Sequence, residues 1–207
     1  MKPLFYIFLF LSLAHSQRND IYSRPFQSGP EFDIDVQHYD IDLKILDHEK
    51  SFSGKTSITF NVIKPYLENI QFDVETFNVT KVKSEGKELS FEQKNGSLII
   101  QPDEPIRIGD ELTYTISYQS DGNIADPSKY GMRGAKVLGL GFFDESYDNP
   151  ALVQTHSFPE GARHWFPSND HPADKATSKI TTTVRSDWKV LANGVLTETE
   201  TNWKVLP

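Results

Sequence analysis

Cysteine is absent from all 207 residues. That excludes disulfides, thiolate metal sites and cysteine nucleophiles at once. A chain of this length needs no covalent staple, because its core is large enough to hold itself. Positive charge is also short: 21 Lys and Arg stand against 29 Asp and Glu, for a net charge of −8. A nucleic-acid binder tracks phosphates with a basic stripe. None is present, and nucleic acid is not an expected partner. Like charges form no block either, so the acidity serves solubility. Heptads, low-complexity tracts and internal repeats are missing. The longest apolar run, Leu4 to Leu11, is less than half of the about 20 residues that span a bilayer.

That run has a different reading. Lys2 precedes it, and Ala14-His15-Ser16 follows with small residues at the two positions a signal peptidase reads. Residues 1–16 are therefore expected to be a secretory signal peptide and the protein to be exported: secreted, periplasmic or at the cell surface. Cleavage removes Lys2 and no acid, taking the charge from −8 to −9. Residues 17–31 are polar and hold Pro25, Gly29 and Pro30, which makes them a flexible lead-in.

From Phe32 the pattern has a period of two. Tyr39, Ile41, Leu43 and Ile45 alternate with polar residues, and so do Thr56, Ile58, Phe60 and Val62. Ile70, Phe72 and Val74 repeat the habit, as do Leu98 with Ile100, and Leu112, Tyr114, Ile116 and Tyr118. Such alternation buries one face and wets the other, as in an antiparallel sheet. Ser53-Gly54, Glu85-Gly86, Asn95-Gly96, Gly109-Asp110 and Asp121-Gly122 read as turns. The spacing predicts an all-β antiparallel sandwich or open barrel. Residues 123–150 have no regular period and read as a long ordered loop. The last expected strands are Ile180–Val184, Lys189–Ala192, Gly194–Glu198 and Asn202–Leu206, the last stopping at Pro207 with no closing turn.

Motifs for chemistry are scarce. A zinc peptidase helix needs HExxH, which sets two imidazoles one turn apart with a glutamate to activate water. His48-Glu49 is followed by Phe52 where the second His belongs, and it sits between two strands. His156, His164 and His171 are spaced by eight and seven, which matches no common ligand pattern. No metal ligand is assigned. A G-x-S-x-G elbow is absent, and so is the α/β alternation that would carry one. Asn78-Val79-Thr80 and Asn95-Gly96-Ser97 match the N-glycosylation acceptor.

The densest segment is Arg163-His-Trp-Phe-Pro-Ser-Asn-Asp-His-Pro-Ala-Asp-Lys-Ala176. It is too irregular for a strand and too proline-broken for a helix, and fixed loops of this kind serve sites or interfaces. Trp165 and Phe166 are expected to anchor it in the core. Pro167 and Pro172 stiffen it, and Asp170 is expected to accept the hydrogen bonds that fix its turn.

Thr155 to Arg163, Trp165 to Pro172, Asp174-Lys175-Ala176-Thr177 and Ala192-Asn193-Gly194 together resemble the aminopeptidase N family of zinc metallopeptidases, of the gluzincin type. That family's N-terminal domain carries T-Q-x-x-P-E-x-x-R, W-F-P-C-x-D-x-P, D-K-A-T and a later A-N-G. His38 to Leu43, then Phe52-Ser53-Gly54, resemble its opening strands, so the likeness runs over 32–207. It implies a saddle-like β domain, incomplete at its C-terminal end, that covers one side of a thermolysin-like catalytic domain. The parent enzyme would remove N-terminal residues from peptides. Its HExxH, the zinc it holds and the G-x-M-E-N loop would lie beyond Pro207.

This chain would then be non-catalytic, with no cofactor of its own. Its partners would be the catalytic domain of the same parent chain and a peptide with a free N-terminus. Two positions depart from the family. His156 stands where the family has the Gln that helps hold the substrate's amino end, so the likeness makes His156 the substrate-binding candidate. A neutral imidazole accepts a hydrogen bond from an ammonium, and a protonated one repels it. Ser168 replaces the usual Cys, a change expected to affect packing only. The alternative is a free-standing secreted β-sandwich that binds a partner without catalysis.

Overall fold

The computed structural model describes residues 32–120, 122, 125, 126, 128, 137–158 and 160–201. The expected signal peptide, the lead-in and the whole of the expected strand at 202–206 lie outside them. Thirteen strands are present among the described residues: β1 (Ile34–Leu46), β2 (Ser51–Val62), β3 (Tyr66–Leu67), β4 (Ile70–Asp73), β5 (Phe77–Ser84), β6 (Lys87–Glu88), β7 (Ser90–Lys94), β8 (Ser97–Gln101), β9 (Ile106–Arg107), β10 (Glu111–Ser120), β11 (Gly139–Phe143), β12 (Leu152–His156) and β13 (Thr177–Thr183). A six-stranded sheet has the order β13-β1-β2-β10-β5-β6. A three-stranded sheet, β4-β8-β7, shares one core with it, and β3-β9 and β11-β12 form two small ribbons. The class is all-β, as the alternation predicts.

The two larger sheets meet through aromatic side chains. Phe60 of β2 lies edge-on to Tyr114 of β10 at 5.2 Å and to Phe72 of β4 at 5.7 Å. All three are buried, as are Ile58, Ile70, Phe77, Leu98, Ile100 and Ile116. Full burial of one such side chain is worth about 1.5–3 kcal/mol, and the edge-to-face pairs add about 0.5–1.5 kcal/mol each.

Two local devices explain where the sequence pattern breaks. In β1 the inward residues are Ile34 and Val36, then Ile41, Leu43 and Ile45. These have opposite parity, and a bulge between Val36 and His38 brings both sets to the same face. In β2, Gly54 lies opposite Tyr118 and is no turn residue. A Cβ there would sit 2.4 Å from Tyr118 Cζ, so the glycine makes room for the ring. The Tyr118 hydroxyl then reaches the buried Thr56 Oγ1 at 3.1 Å.

Three other expectations are corrected. The stretch 123–150 includes β11, which its glycines disguise. A Cβ on Gly139 would lie 2.2 Å from His164 Cβ, and one on Gly141 2.4 Å from Val137 Cγ2. β13 pairs with β1 in parallel, which the many residues between the two strands permit. Residues 189–192 and 194–198 form no strand. Leu191, Val195 and Leu196 are exposed, and no described strand supplies their backbone with a ladder partner.

Candidate functional site

After β12 the chain turns back under itself. A 3-10 turn over Ala162–His164 is closed by Trp165 N donating to the Ala162 carbonyl at 2.9 Å. Trp165 and Phe166 are buried with rings 4.4 Å apart, and Phe166 is edge-on to Tyr39 of β1 at 5.4 Å. Trp165 Nε1 donates to Ser157 Oγ at 3.0 Å, which ties the turn to the end of β12. The aromatic anchors are as expected.

The polar residues of the loop hold it against the end of β4. Asp73 N donates to the Ser168 carbonyl at 2.7 Å, Glu75 N to the Arg163 carbonyl at 2.9 Å, and Thr76 Oγ1 to the His164 carbonyl at 2.8 Å. Asp170 Oδ2 accepts from Arg163 N at 3.1 Å and Nε at 3.0 Å, while Asp170 N donates to Asp73 Oδ2 at 2.9 Å. Asp73 Oδ1 and Glu160 Oε2 lie 3.5 and 3.6 Å from the guanidinium.

Both partners of the central ion pair have raised pKa values, which favours the charge on Arg163 and disfavours it on Asp170. Burial disfavours the Arg163 cation, but Asp73, Asp170 and Glu160 outweigh it and hold it charged. Burial lifts the Asp170 carboxyl above its ordinary range, and the Arg163 bonds only partly reverse this. Geometry favours the charged pair at neutral pH, because Asp170 accepts two N–H groups from Arg163 on one oxygen.

Further on, Asp174 has a comparable task. It accepts from Val36 N at 3.3 Å beside the β1 bulge and from Asn169 Nδ2 at 2.5 Å. Burial also raises its carboxyl. Asn169 N donates to Tyr39 Oη at 3.0 Å, and Thr177 Oγ1 donates to the Gln37 carbonyl at 3.0 Å. Asp170, Asp174 and Thr177 are thus bracing groups, two of them at the bulge where β1 lacks regular pairing. Periodicity gives no sign of the two contacts at the bulge, since Val36 lies 138 positions from Asp174 and Gln37 lies 140 from Thr177.

The histidines go to separate environments. His164 is buried with Nε2 at 3.7 Å from Glu75 Oε2. Burial holds its pKa below the ordinary value; Glu75 opposes that shift and Arg163 adds to it. His171 stacks edge-on with Phe32 at 5.3 Å. His156 ends β12 opposite Gly139, with Nε2 enclosed and no hydrogen bond to it from the described residues. Its carbonyl lies 2.6 Å from where a Cβ on Gly161 would stand, so the turn closes tightly on the strand end. Ser168 is buried, and its hydroxyl has no hydrogen-bond partner among the described residues.

Among the described residues no group of three or more His, Asp or Glu is placed to hold a metal ion. A shallow cleft elsewhere, between the β1–β2 turn and the β11–β12 ribbon, is lined by Arg185, Asp47 and Trp188. Arg185 is paired there with Asp47 at 2.8 Å and stacked over Trp188 at 5.4 Å.

The family model for the peptidase M1 N-terminal domain matches residues 35–205. The chain is 27% identical over 160 residues to a probable aminopeptidase 1 of Sulfurisphaera tokodaii, covering 77% of this chain and 17% of that protein. It is 26% identical to the glutamyl aminopeptidase of Rattus norvegicus, covering 84% of this chain and 19% of that protein. An M1 zinc metallopeptidase from Deinococcus radiodurans, solved with a Tyr-Ser-Ala substrate, superposes with a TM-score of 0.68 at 27% identity. That match takes in 82% of this chain and 37% of the Deinococcus protein. The chain therefore spans well under half the length of these relatives. With a braced loop that carries the motifs and a family model matched along the whole β domain, the chain belongs to the peptidase M1 N-terminal domain family.

Proposed function

We propose that this domain is the non-catalytic N-terminal part of an exported zinc aminopeptidase that removes N-terminal residues from peptides. The observation that carries the reading is the uneven coverage: a domain matched over 82% of its own length accounts for 37% of a zinc metallopeptidase solved with a peptide. In this reading the catalytic domain of the same parent chain is the partner and holds the zinc. The β domain covers one side of the site and helps select a free N-terminus. The bonds that Arg163, Asp170, Asp174 and Thr177 make brace its loop, as suits a covering surface that holds its shape as substrates exchange.

His156 is the proposed contact to the substrate's amino end. It sits where the β11–β12 ribbon meets the braced turn, beside Phe158, which is 75% exposed. Steady-state hydrolysis by the full-length parent and its His156→Gln variant tests the contact. The expected result is a changed KM for peptides with a free N-terminus. An unchanged KM removes His156 from the site. The wider reading is tested by the coding sequence after Pro207, which is expected to carry G-x-M-E-N and HExxH. A stop codon there favours the free-standing binding module.

A further inference from the structure

Two N-x-S/T acceptors are present, and the fold treats them differently. Asn78 lies in β5 and pairs with Gln119 of β10. On its other side the Gln93 amide clamps the same stretch: Oε1 accepts from Val79 N at 2.8 Å and Nε2 donates to the Phe77 carbonyl at 2.7 Å. Thr80 Oγ1 has already given its proton to the Ser117 carbonyl at 3.1 Å. This acceptor is held extended on both edges.

Asn95 is at the tip of the β7–β8 hairpin. It has φ 51° and Gly96 has φ 78°, so both central residues of a two-residue turn are left-handed. Asn95 is exposed, as Asn78 is, so backbone geometry and not exposure separates the two. Ser97 Oγ accepts from Gln71 Nε2 at 2.9 Å, which leaves the hydroxyl proton uncommitted. Only this acceptor lies in a surface turn, the setting in which such a motif is modified in an exported protein.

We propose that Asn95, and not Asn78, is an N-glycan acceptor. In the transfer the Asn95 side-chain nitrogen bonds to C1 of a sugar on a lipid-pyrophosphate-linked oligosaccharide. The C1–oxygen bond to the pyrophosphate breaks, the lipid pyrophosphate leaves, and the nitrogen gives up one proton. A transferase of the secretory route supplies the catalysis. The inference rests on the export reading.

The test expresses the 207-residue chain in a eukaryotic secretory host, once with its own residues 1–16 and once with those replaced by a proven leader. Peptide N-glycosidase then reads glycan occupancy by gel mobility and by conversion of the bearing Asn to Asp in the mass spectrum. With the proven leader, one glycan is expected, at Asn95. Asn95→Gln and Ser97→Ala should each abolish it, the second while keeping the Asn-Gly turn, and Asn78→Gln should leave it. No glycan, a glycan that survives Ser97→Ala, or occupancy at Asn78 overturns the proposal. A glycan at Asn95 with the proven leader, but no secretion with the chain's own, supports Asn95 and defeats the export reading instead.

Discussion

Replacing Arg163 by Met keeps most of the buried stem and removes the charge. Asp170, with a side chain 8% exposed, then loses its Nε donor, and Asp73 and Glu160 lose the cation they share. The Arg163 backbone N–H to Asp170 remains. Breaking a buried pair by removing one partner costs about 3–5 kcal/mol, because the other charge stays buried. Glu160 is 44% exposed and Asp73 26%, so water screens part of the loss. The expected cost is therefore at the low end, about 3 kcal/mol. At an m-value of about 2 kcal/mol/M this moves the urea midpoint down by about 1.5 M. Asp170→Asn in the same background neutralises the stranded charge, and the double mutant should regain at least about 1.5 kcal/mol. A loss under about 1 kcal/mol, the value of an exposed pair, refutes the reasoning. So does strict additivity of the two substitutions.

Two further expectations concern the packing and titration of the same core. Gly54→Ala places a methyl 2.4 Å from the Tyr118 ring and should cost about 1–3 kcal/mol by thermal melting; the penalty should shrink in a Tyr118→Ala background, and an equal penalty would show that the ring is not the obstacle. His164 is held below its ordinary pKa by burial, so the unfolded chain binds its proton more readily. Its contribution to stability is present above the unfolded value of about 6.5 and is lost as pH falls below it, with a slope of up to about 1.4 kcal/mol per pH unit. His164→Gln should flatten the stability profile between pH 7.5 and 5.5 in urea titrations; a profile parallel to the wild type would remove His164 as a cause.

Much of the fold was legible because inward residues recur at period two in β1, β2, β4, β8 and β10. Each departure from that pattern has a local cause. The β1 bulge hides the kinship of Ile34 and Val36 with Ile41 and Leu43, since a phase change looks like an ending. Gly54 looks like a turn when only its missing side chain is visible, and the ring it accommodates is 64 positions away (118 − 54). β11 reads as loop because two of its five residues are glycines required by His164 and Val137. At the far end, residues 189–198 have strand composition, but a strand needs a partner, and none is supplied among the described residues. The loop motifs identified the family. What they could not give is the direction of each bond, because Asp170, Asp174 and Thr177 act on β1 and on Arg163 through the tertiary fold.

We propose that this domain shapes a peptidase site and performs no hydrolysis itself. Incubating the purified 207-residue chain with one equivalent of zinc and a dipeptide substrate, then dialysing and measuring both turnover and retained metal, tests it most directly. No turnover above buffer and no stoichiometric zinc are expected. Hydrolysis that follows the chain through purification, or one zinc retained per molecule, would contradict it.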